Sequence, residues 1–133
     1  MKVLLLENIH KSAENYFKKK KYEFEVYKDS LDENELIEKL KGVEILGIRS
    51  KTQVTQKVIE NAKDLCAIGA FCIGTNQIDI NASDKYGIVT FEYCYVVAVL
   101  SDVLTFNHEK TKKVQEELKC ILEISFFLYS YQR

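Results

Sequence analysis

Short continuous apolar runs alternate along this chain with stretches whose apolar positions recur every three or four residues, a pattern that predicts alternating strands and helices. Val3 to Leu6 is apolar throughout, as in a strand buried on both faces of a parallel sheet. His10 to Lys20 places Ala13, Tyr16 and Phe17 at helical spacing, with Asn8 available as a cap. Glu23 to Tyr27 alternates and reads as a second strand, nearer an edge. Ser30 or Asp32 can cap a helix that buries Leu36, Ile37 and Leu40 and ends at Gly42. Val43 to Ile48 is a third strand, delivering Arg49 and Ser50 at its C-terminal end. Thr55 to Ala62 reads as a helix with Val58 and Ile59 inward, Leu65 to Ile68 as a fourth strand, Ile78 to Tyr86 as a short helix and Ile88 to Phe91 as a fifth strand.

Strand and helix in alternation argue a parallel sheet with right-handed crossovers, whose ligands collect outside the carboxyl ends of the strands. Two stretches fall at that edge: Arg49-Ser50-Lys51-Thr52, and the run from Ala67 to Asp79 with glycines at 69 and 74. Glycine leaves no Cβ in the way, so peptide N–H groups can point at a carboxylate or phosphate as a nest. Arg49 offers a planar guanidinium fork to the same kind of anion. From the residues alone, an ordinary strand-to-helix turn and a surface salt bridge at a strand end are the readings to prefer.

Beyond residue 91 the pattern changes. Tyr93 to Leu100 is apolar, and His108 to Tyr129 carries Val114, Leu118, Ile121, Leu122, Ser125 and Phe126 at helical spacing. This amphipathic helix is expected to cover an open face or edge of the sheet, or to serve a partner subunit in a homo-oligomer.

Composition narrows the function classes. Lys and Arg number 19 against 20 Asp and Glu, so the net charge of −1 gives no reason to expect nucleic acid or an anionic membrane as a partner. The one like-charge block, Lys18 to Lys21, sits where a helix should end, where cations complement the helix dipole. Cys66, Cys72, Cys94 and Cys120 lack metal-ligand spacing and only His10 and His108 are there to join them, so no metal site is expected. Cys66 and Cys72 lie among apolar residues and read as buried, reduced thiols of a cytoplasmic protein. The apolar opening is too short for a signal peptide, and Tyr93 to Leu100 falls far short of the roughly 20 residues of a membrane span. The chain contains no proline, which is unusual for an α/β enzyme.

Ile48 to Thr55, Leu65 to Asp79 with its Phe71-Cys72-Ile73-Gly74-Thr75-Asn76-Gln77 core, and Ala82 to Val89 together resemble the D-isomer-specific 2-hydroxyacid dehydrogenases. The likeness is strongest to the substrate-binding domain of the D-3-phosphoglycerate dehydrogenase branch and runs over about residues 1–91. It implies a flavodoxin-like parallel sheet of about five strands flanked by helices, followed over 92–133 by a divergent, mostly helical extension packed on the same domain. By this resemblance Arg49 and Ser50 belong to the loop that holds the substrate's phosphate and carboxylate end. Ile73 and Gly74, with Thr75 and Asn76 beside them, belong to the loop that approaches substrate carboxylate and nicotinamide. Where the relatives continue with Asn-x-Pro, this chain reads Glu92-Tyr93-Cys94.

NAD is the cofactor the resemblance implies, yet the glycines at 42, 47, 69, 74 and 87 form no G-x-G-x-x-G. The relatives' catalytic residues lie beyond the matching stretch, and neither His10 nor His108 reads as a catalytic base. Asp79 and Asp84 read as helix-capping or solvated residues. The leading expectation is therefore a truncated, phosphoglycerate dehydrogenase-like substrate-binding half, inactive alone, with a small phosphorylated or carboxylated metabolite as its partner. A non-enzymatic metabolite-binding module and an interaction protein acting through the C-terminal helix are the alternatives.

Overall fold

A computed structural model describes residues 1–9, 11–72 and 74–92. Nine elements follow one another: β1 (Lys2–Leu5), α1 (Lys11–Lys19), β2 (Glu23–Val26), α2 (Glu33–Lys39), β3 (Ile45–Ile48), α3 (Gln56–Asn61), β4 (Ala67–Ala70), α4 (Ile80–Lys85) and β5 (Val89–Glu92). The strands pair in parallel in the order β2-β1-β3-β4-β5, so the expected α/β sheet is present, with β2 at an edge as its alternating pattern implied. Residues 93–133, including the expected C-terminal helix, His108, Cys94 and Cys120, lie outside the described residues, as do His10 and Ile73.

The chain order places α1 on one face and α2, α3 and α4 on the other. Leu36 and Leu40 of α2, Val58 and Ile59 of α3 and Ala82 of α4 pack with Leu4, Leu46, Ile48 and Ile68 of the sheet. Ala13 and Phe17 of α1 pack with Val3, Leu5, Ile45 and Ala67 on the opposite side. Parallel strands covered on both faces need apolar side chains in both directions, which is why the inner strands read as runs.

Helix starts follow side-chain chemistry. Asp32 caps α2 in a reciprocal box with Glu35, accepting the Glu35 N–H at 2.9 Å while the Glu35 carboxylate accepts the Asp32 N–H at 3.2 Å. Thr55 caps α3 and Asp79 caps α4, the latter accepting the Ala82 N–H at 2.9 Å. Asn8 does not cap α1. It stands before the helix with left-handed backbone, φ 53°, and donates its N–H to the Tyr27 carbonyl.

Most boundaries shift by a residue or two from the expectation, β1 to Lys2–Leu5 and β5 to Val89–Glu92 among them, and two strands show why. The third strand begins at Ile45, because Val43 donates to the Leu40 carbonyl in the turn that Gly42 makes at φ 75°. The fourth strand is Ala67–Ala70 rather than Leu65 to Ile68. Leu65 is buried in the turn after α3, where its N–H donates to the Ala62 carbonyl, so apolarity there marks the core and not the ladder. The small residues Gly69 and Ala70 pair with Gly47 and Ile48 and carry β4 to the rim. Cys66 and Cys72 are half-buried rather than buried.

Candidate functional site at the carboxyl rim

Parallel register puts Ile48, Ala70 and Glu92 in one row at the carboxyl ends of β3, β4 and β5. Just beyond it lie the two loops that the sequence singled out. They are tied to each other: the Gln77 amide donates to the Arg49 carbonyl at 2.8 Å, Val54 N–H donates to the Gln77 carbonyl at 2.8 Å, and Asp79 N–H to the Val54 carbonyl at 2.9 Å. Gln77 also donates to the Cys72 sulfur at 3.2 Å, so one side chain spans both loops.

The amides of the first loop are already engaged. Glu7, only 7% exposed, curls back at φ 62° and places its carboxylate under the end of β3. It accepts the N–H of Arg49 at 2.7 Å, of Lys51 at 2.7 Å and of Thr52 at 3.2 Å. Burial pushes this carboxyl up, but the Arg49, Lys51 and Thr52 donors outweigh it and hold the group below its ordinary value. The Thr52 hydroxyl, fully buried, faces the same carboxylate but meets no acceptor in hydrogen-bonding alignment. Peptide donors therefore do form an anion nest, in the Arg49 loop rather than the glycine loop, and a glutamate of the chain itself fills it. Glu7 was not singled out from sequence. Its signal was a lone charge closing an apolar strand run.

The glycine loop differs from expectation in two ways. Gly69 is a buried strand residue, and its missing Cβ makes room for the Phe71 ring: a Cβ built there would stand 3.2 Å from Phe71 Cε2. Gly74 does take the left-handed conformation, φ 88°, but its N–H donates to Glu92 Oε1 at 2.5 Å rather than standing open for a ligand.

What remains open lies one step along each loop. The Arg49 guanidinium is exposed and forms no ion pair with any carboxylate among the described residues. Ser50 beside it is exposed, and its N–H, between the ones Glu7 takes, has no acceptor among the described residues. The same holds for the N–H groups of Thr75 and Asn76. A guanidinium, a hydroxyl and peptide donors from two laced loops can hold a carboxylate or a phosphate.

A family model for the D-isomer specific 2-hydroxyacid dehydrogenase catalytic domain matches residues 3–99. The chain belongs to this family. D-3-phosphoglycerate dehydrogenase 1 of Saccharomyces cerevisiae is 52% identical over 91 residues, which are 68% of this chain and 19% of the yeast protein. D-3-phosphoglycerate dehydrogenase of Dictyostelium discoideum is 48% identical over 91 residues, 68% of this chain and 22% of that protein. The chain thus spans about a fifth of the length of the curated relatives it matches. Among solved structures, the TT0316 protein from Thermus thermophilus superposes with a TM-score of 0.66 at 23% identity, over 78% of this chain and 34% of that one. The NAD+-bound 3-phosphoglycerate dehydrogenase of Entamoeba histolytica gives 0.61 at 18% identity, over 78% and 37%. These likenesses show a shared fold.

The described residues of this 2-hydroxyacid dehydrogenase domain do not fit a dinucleotide. No strand–glycine loop–helix with G-x-G-x-x-G is among them, and Gly74, expected near nicotinamide, gives its N–H to a carboxylate. Among the described residues no cluster of His, Cys, Asp or Glu is arranged to hold a metal ion, and no helix is long and apolar enough to cross a membrane.

Proposed function

We propose that these 133 residues are a D-3-phosphoglycerate dehydrogenase-like substrate-binding unit of a cytoplasmic protein, which holds a small phosphorylated or carboxylated acid at the carboxyl rim of the sheet. The family reaction would be the NAD-dependent oxidation of 3-phosphoglycerate that opens serine biosynthesis. These residues carry only its substrate side and lack a nicotinamide-binding domain. The observation behind the reading is the exposed Arg49 guanidinium, with no carboxylate paired to it among the described residues, next to the unclaimed N–H of Ser50 and laced by Gln77 to the loop of Thr75 and Asn76. Arg49 and Ser50 would hold the phosphate or carboxylate end, with Thr75 and Asn76 on the far side of the ligand.

Titration of the chain with 3-phosphoglycerate tests this. Arg49→Ala should weaken binding by about tenfold or more, the loss of a charge-assisted fork, while the unfolding midpoint stays in place. Equal binding by both proteins would remove the reading. Purified protein supplied with NADH and 3-phosphohydroxypyruvate should show no turnover.

A non-enzymatic module that senses such a metabolite is the second reading. It is favoured by Gly74 being closed to a nicotinamide by Glu92, and it shares the same Arg49 test.

A further inference from the structure

Glu92 ends β5 opposite Ala70, and the chain leaving β4 turns so that the Gly74 N–H meets the Glu92 carboxylate at 2.5 Å. Both residues are half-buried, and among the described residues no cation pairs with Glu92. The loop is held around this contact: the Cys72 thiol donates to the Gly74 carbonyl at 3.5 Å and Gln77 donates to the Cys72 sulfur. A charge-assisted bond to a braced peptide is a strong one. Arg49 stands past the row Ile48–Ala70–Glu92 on the strand two places away, about 10 Å across the sheet by ordinary strand spacing. The rim therefore presents a cation at one end and an anion at the other.

We propose that Glu92 is a specificity-determining residue of this rim. Its carboxylate occupies the Gly74 amide and repels a second anionic group there, so that a ligand held by Arg49 at one anionic end gains no affinity from a second. The proposal rests on the anion-binding role of Arg49 given above and deepens it. An acid carrying anionic groups at both ends gains nothing from its second charge, because that charge meets Glu92 instead of an open N–H. Like charges brought close together at a partly buried site oppose each other strongly enough to shift affinity by about tenfold.

The test compares two probes that differ in one group: glycerol 3-phosphate, with a single anionic end, and 3-phosphoglycerate, with two. Both are titrated by calorimetry against the full chain, Glu92→Gln, Glu92→Ala and Arg49→Ala. The wild-type chain should bind the two probes alike. Glu92→Gln keeps an acceptor for the Gly74 N–H but removes the charge, and should bind 3-phosphoglycerate about tenfold more tightly than glycerol 3-phosphate. Amide hydrogen exchange at Gly74 should quicken in Glu92→Ala, a readout that needs no ligand. If the probes bind and Arg49→Ala weakens them, yet their ratio is the same in wild type and Glu92→Gln, the selectivity proposal is overturned and the Arg49 reading stands. If Arg49→Ala changes nothing, or neither probe binds any of the proteins, both fall. Unchanged exchange at Gly74 in the alanine variant also overturns it.

Discussion

Glu7 Oε2 accepts the backbone N–H of Arg49 at 2.7 Å, joining residues 42 apart in sequence. The side chain that closes β1 thereby fixes where the chain leaving β3 must begin, and Lys51 and Thr52 follow onto the same carboxylate. Local left-handed backbone makes the contact possible: Glu7 and Asn8, at φ 62° and 53°, turn the chain under the sheet's rim. Such conformations cost non-glycine residues roughly 1–2 kcal/mol each, which the charge-assisted bonds offset.

Removing that carboxylate should be costly out of proportion to its size. Glu7→Ala leaves three N–H groups without an acceptor beneath the rim, and we expect a loss of about 3–5 kcal/mol in urea unfolding at neutral pH. Glu7→Gln, which keeps one acceptor oxygen, should lose about 2 kcal/mol.

The same group sets an acid limit. Its folded value lies below the ordinary glutamate value of about 4.3, so its contribution is complete above that pH and is lost as pH falls through the folded value. Wild-type stability should decline between about pH 5 and 3 more steeply than that of Glu7→Gln, since the glutamine has no proton to take up. Parallel curves for the two proteins across this range would contradict the assignment.

Sequence patterns read the layers of this domain well and its rim less well. The first strand, to within a residue, the inward Leu36 and Leu40, and the caps at Asp32 and Asp79 follow from periodicity and local hydrogen-bond chemistry, which act over a few residues. Glu7, just past the opening apolar run, and the terminal Glu92 of β5 gave no local sign that each would accept peptide N–H groups from the loop after another strand. Those pairings join residues distant along the chain, and no short window of sequence contains both partners. Gly69 misled for a different reason: glycine signals either left-handed backbone or a need for space, and only coordinates separate the two.

The two glycines of the second loop should respond differently to the same substitution. Nothing lies within 4 Å of a Cβ added at Gly74, so Gly74→Ala should be destabilising by about 1 kcal/mol through its φ of 88° alone. Gly69→Ala has acceptable backbone but crowds the Phe71 ring, and resonances of that ring and of residues 72 and 74–77 should move with it. Two-dimensional NMR of the pair distinguishes strain from crowding.

Caps offer a local control. Asp79→Ala should destabilise by about 1 kcal/mol, as should Asp32→Ala, each by exposing an unpaired N–H in the first turn. Thermal melts should show these losses without any change in ligand affinity for Asp32→Ala, whose carboxylate bonds the Glu35 N–H of its own helix start and no group of the rim loops.

The main-chain bridge between Val54 and Ile78, with Gln77 fastened to Arg49, means that the starts of α3 and α4 were immobilised when the domain folded. A small acid arriving at the rim has then to restrain one long arginine side chain, while the surrounding peptide groups already stand in place. Preorganisation of this kind lets few contacts suffice. It also implies that loosening the bridge from a distance would weaken a ligand without deleting anything that touches it.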